Sequence, residues 1–236
     1  MPMAEPPSGF AETPPDAAGH RQRLRQRFLS GGPEALADYE MLELILQGAL
    51  PRIDTKPIAR ALLARFGDYV AVISAAPEDL AQVKGMGEAA VAAIKAIQAA
   101  AIRLTRLKVM QQPVLSSWEA VIDYCQAQLA HEKREQFYIL LLDRKNTLIA
   151  TEQLGEGTVD HTPVYPREVV KRALDRHASA VILVHNHPSG DPTPSRDDIQ
   201  MTKDIGKALN AVEIRLHDHL VIGSRGHASF KRLGFL

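Results

Sequence analysis

Cysteine is almost absent: Cys125 is the single example in 236 residues. No intramolecular disulfide can form, and no cysteine-rich zinc finger or iron–sulfur site can be built. Net charge is missing too, because 28 lysines and arginines balance 28 aspartates and glutamates. A protein that coats nucleic acid non-specifically is usually basic, so any DNA contact must come from a local patch and be weak. No stretch approaches the roughly 18–20 apolar residues of a membrane helix. Residues 1–19 lack the basic-then-apolar order of a secretory signal. The expectation is a cytoplasmic protein with no membrane partner. What is there is ordinary: 45% hydrophobic and 24% charged residues exclude fibrous, collagen-like and fully disordered chains. The length allows one large domain or two small ones.

Residues 1–19 carry Pro2, Pro6, Pro7, Pro14 and Pro15 among small and polar side chains. Such a segment cannot bury enough apolar surface to offset its ordering entropy and reads as a disordered tail. From residue 20 to 107 the apolar residues recur at helical spacing only. Helices are expected from Arg21 to about Ser30, from Ala35 to Gln47, from Thr55 to Phe66, from Pro77 to about Lys84, and from Glu88 to Leu107. Residues 108–114, with Pro113, break the pattern and read as a linker. From 115 to 236 strands alternate with helices, which indicates an α/β layer fold. Ser116 and Glu119 have capping-box spacing ahead of a helix to about Ala130. Phe137–Leu142 and Thr147–Leu154 read as a hairpin. Pro166 suits the first turn of a helix to about His177. Ala180–Val184 reads as a buried strand, Ser195–Asn210 as a helix, and Val212–Ile222 as a long strand.

The strongest chemical signal is the segment from Val184 to Asp198. His185 and His187 stand two apart in an extended run and so point to one side. Asp198 follows on the first turn of the next helix, after a loop that three prolines and Gly190 keep irregular. Two imidazoles and a carboxylate fill three tetrahedral positions of Zn²⁺ and leave the fourth for water, the arrangement of a catalytic site. That donor set favours zinc over Mg²⁺. The plainer alternative is a helix cap, since Ser195 and Asp198 also have capping-box spacing.

His-x-His, seven residues, Ser, two residues, Asp is the pattern of the JAMM (MPN+) metalloproteases. The wider stretch from Ile182 to Pro192 more closely resembles the bacterial RadC family. So do Pro166–Lys171 and Asp218–Gly223, and the resemblance covers residues 20–236. It implies a JAMM/MPN-like, cytidine-deaminase-like α/β domain with a mixed sheet over 115–236. A small all-α helix-hairpin-helix domain would precede it. It also implies a zinc-dependent hydrolase cutting peptide or isopeptide bonds of an unknown peptide or protein substrate. His185, His187 and Asp198 match the zinc ligands. Ser195 matches the serine whose hydroxyl donates to the developing oxyanion. The family also needs a glutamate that moves the proton of the attacking water to the leaving amine. The candidates are Glu135, Glu152 and Glu168, of which Glu135 best fits the placement. The family pattern often has histidine where this chain has Tyr165.

Several residues stay outside that scheme. His217 and His219 form a second His-x-His and are expected to share a strand face. No third ligand stands at a matching spacing, so His219 reads rather as a hydrogen-bonded partner near the first site. Cys125 reads as a buried small hydrophobe, and Trp118 as a core or interface residue. In the helical half, Leu80–Ala90 has the form of a helix-hairpin-helix. Gly85 and Gly87 would let the backbone approach a phosphate at the second helix's N-terminus, with Lys84 beside it. Glu88 would repel that phosphate, and the Arg21, Arg23, Arg25, Arg27 row adds weak support. The alternative function is therefore a non-catalytic, DNA-associated module of the kind a DNA-repair role would need. A third reading is a scaffold whose zinc is purely structural.

Overall fold

A computed structural model describes residues 15–110, 113–156 and 164–236. Packing divides the chain into two compact units, Met1–Ala96 and Ile97–Leu236.

The first unit is helical: α1 (Pro15–Gly31), α2 (Asp38–Ala49), α3 (Lys56–Phe66), α4 (Tyr69–Ser74), α5 (Pro77–Ala81) and the start of α6 (Glu88–Met110). Residues 1–14 of the expected tail lie outside the described residues. Residues 15–19 open α1 instead, since the fixed φ of Pro15 suits a first helical turn. The second helix starts three residues later than its pattern suggested. A 3₁₀ turn at Pro33–Ala35 precedes it, and Glu40 accepts the N–H of Ala37 at 3.1 Å. Gly67, at φ +99°, stops α3. Leu42, Leu46, Leu62, Leu80, Ala90 and Ile94, all wholly buried, form the core of this unit.

Helix α6 does not end at 107. It continues through three residues read as linker to Met110, and Val109 and Val114 are buried in the core of the second unit. Residues 111 and 112 lie outside the described residues. An apolar helix can serve two cores, so the division by packing falls inside α6 and not at the proline.

The second unit continues with α7 (Trp118–Leu129), β1 (Gln136–Leu142), β2 (Leu148–Glu156), α8 (Pro166–Asp175), β3 (Ala180–Asn186), α9 (Arg196–Asn210), β4 (Arg215–Gly223), β5 (Gly226–Ser229) and α10 (Phe230–Leu233). The expected Ser116–Glu119 capping box does not form. A 3₁₀ turn at Val114–Ser116 leads the hydroxyls of Ser116 and Ser117 to donate to the Pro113 carbonyl, at 2.8 and 3.1 Å.

The sheet order is β2-β1-β3-β4-β5. Only β3 and β4 are parallel, so the sheet is mixed. Alternation sorts the side chains. Leu140, Leu142, Ile182, Val184, Leu220 and Ile222 pack beneath α7. Phe137, Ile139, Leu141, Val181 and Leu183 pack beneath α8 and α9, against Val169, Ala173, Ile205 and Leu209. An α/β layer fold with a mixed sheet follows, preceded by a helical region, as the sequence implied. The same odd-numbered side of β3 carries His185 beyond Leu183.

Candidate metal centre

His185 is the penultimate residue of β3 and is 1% exposed, with Phe137 stacked on its ring at a centroid distance of 5.9 Å. His187 begins the following loop, where its backbone N–H donates to the Ile222 carbonyl at 2.8 Å. Asp198 reaches back from the first turn of α9. The two imidazole Nε2 atoms face each other at 3.0 Å. Asp198 Oδ1 lies 3.4 Å from His185 Nε2, and Oδ2 lies 3.4 Å from His187 Nε2. The edges of a tetrahedron with metal–nitrogen bonds of ~2.0–2.1 Å are roughly 3.3 Å, so the three groups fit a zinc-sized ion. Among the described residues this is the one set of three or more ligating side chains close enough to hold an ion. The Nδ1–H of His187 donates to the Asp191 carbonyl at 2.8 Å, which leaves its Nε2 lone pair for a metal.

The electrostatics agree with that fit. Burial opposes ionisation of Asp198, but its contacts with His185, His187 and Ser195 outweigh it and hold the carboxyl far below the ordinary range. The hydrogen bond to Asp198 raises the pKa of His187, with smaller help from the Asp191 carbonyl and from the charges of Asp198 and Glu135.

The three glutamates differ in what surrounds them. Glu135 is half-buried in the turn before β1. Asn186, between the two histidines, holds this turn in place. Its amide donates to the carbonyls of Glu132 and Arg134, at 3.2 and 3.0 Å, and its Oδ1 accepts the N–H of Gln136 at 2.8 Å. Glu152 is instead bound by Arg172 and Arg176, at 3.0 and 2.6 Å. Glu168 lies in the first turn of α8, where the helix dipole favours it. Tyr165 precedes that helix and is exposed, with the Arg167 guanidinium over its ring. Asn186 escaped the sequence reading. The available signal was strand alternation, which turns the residue between the two histidines to the opposite side.

Ser195 caps α9. Its hydroxyl donates to Asp198 Oδ2 at 2.6 Å and accepts the Asp198 N–H at 3.1 Å. The capping pair thus includes the carboxylate of the cluster, and the two readings of their spacing are compatible.

The second His-x-His does not share a face. The register of β4 against β3 moves from Val181–Leu216 directly to Ile182–Asp218, which leaves His217 as the extra residue of a bulge. His217 and Asp218 both line a cavity of about 310 Å³ with Trp118, and His217 Nε2 lies 2.6 Å from Asn146 Oδ1. His219 returns to the metal side, with its Nε2 2.8 Å from His185 Nδ1. Cys125 is buried, and burial pushes its thiol up to about 12.

Residues 115–235 match the family described as RadC-like JAB domain, and residues 17–92 match UPF0758 N-terminal. A UPF0758 protein of Ruegeria pomeroyi is 56% identical over 217 residues, which covers 92% of this chain and 97% of the relative. This chain belongs to the RadC (UPF0758) family. A UPF0758 protein of Rhodobacter capsulatus is 60% identical over 213 residues, 90% of this chain and 100% of the relative.

In the N-terminal part of this RadC-family chain, Lys84, Gly85 and Gly87 are exposed in the turn between α5 and α6. Gly85 has φ +94°, and a Cβ there would lie 2.7 Å from Ile58 Cδ1. The turn is thus a tight packing joint, whatever else it does. The arginine row is partly engaged within the helical unit. Arg21 donates to the carbonyls of Leu50, Pro51 and Ile53, and Arg27 pairs with Glu40 at 2.8 and 3.0 Å. Among the described residues no helix is long and apolar enough to cross a membrane.

Proposed function

We propose that this chain is a zinc-dependent hydrolase of the JAMM type that cuts peptide or isopeptide bonds. The observation that carries the reading is the convergence of His185 Nε2, His187 Nε2 and the Asp198 carboxylate. His185, His187 and Asp198 would hold the zinc, which would supply a nucleophilic water at neutral pH by lowering the pKa of that water to about 7. Glu135 takes the proton of the attacking water and hands it to the leaving amine. Ser195 donates its hydroxyl to the developing oxyanion. Turning that hydroxyl away from Asp198 leaves no orphan, since Asp198 Oδ2 also accepts the Ser195 N–H at 2.7 Å. Asn186 keeps the Glu135 turn beside the site.

Elemental analysis of chelator-free protein tests the metal. The expected result is about one zinc per chain, lost in Asp198→Ala. A folded wild type that refuses added zinc sinks the reading. Screening peptide and isopeptide libraries then tests the chemistry. Glu135→Gln is expected to keep the zinc and lose roughly 10²–10⁴-fold in rate. A zinc-dependent fold that tolerates both Glu135→Gln and Ser195→Ala marks the metal as structural.

The second reading, a DNA-associated module, draws on the left-handed Gly85 beside exposed Lys84 at the start of α6. It requires weak, salt-dependent binding that falls further in Lys84→Ala. Binding that ignores either change removes it.

A further inference from the structure

We propose that Thr202 and His219 are positioning residues that fix the tautomer of His185, so that its Nε2 lone pair faces the metal site before any ion arrives. The proposal rests on the reading of His185 as a metal ligand.

The argument is a count of protons along one buried chain. Thr202 Oγ1 lies 2.6 Å from the Asp198 carbonyl and 2.6 Å from His219 Nδ1. A hydroxyl has one proton, and a carbonyl has none to offer. Thr202 therefore donates to Asp198 and must accept from His219, which puts a proton on His219 Nδ1. Thr202 and His219 are 1% and 0% exposed, so water cannot substitute for either partner. A doubly protonated His219 would bury an uncompensated charge. Its Nε2 is thus a bare acceptor, and it faces His185 Nδ1 at 2.8 Å. His185 must donate from Nδ1, and in the neutral ring its one remaining nitrogen, Nε2, is left with a lone pair toward His187 and Asp198. The rings cannot turn to escape this order. Phe137 stacks on His185, and Phe230 stacks on His219 at a centroid distance of 4.5 Å.

The chain closes on itself, because the carbonyl at its far end belongs to Asp198, the third ligand. One helical turn of α9 therefore supplies a ligand carboxylate from Asp198 and the orienting hydroxyl from Thr202, four residues on. In Thr202→Val, His219 Nδ1–H loses its acceptor. The other neutral tautomer then points Nε2–H at His185 and drives the His185 proton onto Nε2, where it competes with the metal.

The test compares wild type, Thr202→Val and Thr202→Ser by zinc affinity and by ¹⁵N NMR of the imidazoles at pH 8. Wild type and Thr202→Ser are expected to show His219 protonated on Nδ1, even without metal, and to bind zinc equally. Thr202→Val is expected to lose roughly 10–100-fold in zinc affinity, the scale typical for partners of ligating histidines. Its His219 proton should move to Nε2. A folded Thr202→Val with wild-type zinc affinity overturns the proposal. So does a metal-free wild type with His219 protonated on Nε2, a measurement that needs no variant. A wild type with the expected tautomers that binds no zinc supports the relay and overturns the metal reading instead.

Discussion

At the scale of the residue, the proposed metal site makes proton and metal compete for His187. Its pKa lies above the ordinary 6.5 because it pairs with Asp198. A raised folded-state value stabilises the metal-free fold below pH 6.5, and that contribution disappears as pH rises through the raised value. Zinc needs the same nitrogen unprotonated, so its binding follows the opposite course. The melting temperatures of zinc-loaded and metal-free protein should therefore diverge as pH rises from about 6 to 8. Calorimetry across that range checks it, and a constant gap would exclude His187 as a ligand. The cluster itself was legible in the sequence, because His185, His187 and Asp198 are set by one strand end, one rigid loop and one helix start. Their partners were not. Thr202 and His219 meet only through the packing of α9 on β4, and no local pattern announces which threonine or histidine that packing selects.

At the scale of the element, the loop from His187 to Pro194 is held by a backbone contact. A Cβ at Gly223 would collide with the Gly190 carbonyl, and Arg225 N–H donates to that carbonyl at 3.1 Å. Gly223→Ala must push the loop away and should cost about 1–3 kcal/mol while weakening zinc binding through His187. Gly85→Ala strains a left-handed residue in the other unit and should cost a similar ~1–3 kcal/mol with zinc binding intact. Zinc titrations of the two variants separate the cases, and equal zinc loss in both would refute the assignment. Sequence periodicity found most of these elements. It missed β5, whose four residues are too short to show alternation, and it misplaced the start of α7. It also could not see the register skip at His217, because a bulge depends on the partner strand.

At the scale of the whole molecule, two cores imply two cooperative units. Each has its own set of wholly buried aliphatic residues, and the His185, His187 and Asp198 cluster belongs only to the second. A ligand stabilises the state that binds it, by roughly 2.7 kcal/mol at a hundredfold excess over Kd. Zinc should therefore protect amides of the sheet from hydrogen exchange and leave those of α2 and α3 unchanged. Equal protection of both would mean that α6, whose residues serve both cores, transmits stability along its length. The domain boundary was hard to read for the same reason, since Pro113 marks a break in pattern while the packing changes hands within a continuous helix.

The bulge in β4 has a consequence in the language of genes. Leu216 and His219 face the α8 and α9 side, and the extra residue lies between them. Removing the His217 codon would leave Leu216, Asp218 and His219 in plain alternation, with every side chain downstream on the side it already occupies. By this geometry the residue can be deleted without turning the sheet inside out. A chain lacking His217 should still load zinc to the wild-type level. A folded deletion variant without zinc would mean that the spare residue is what aims His219.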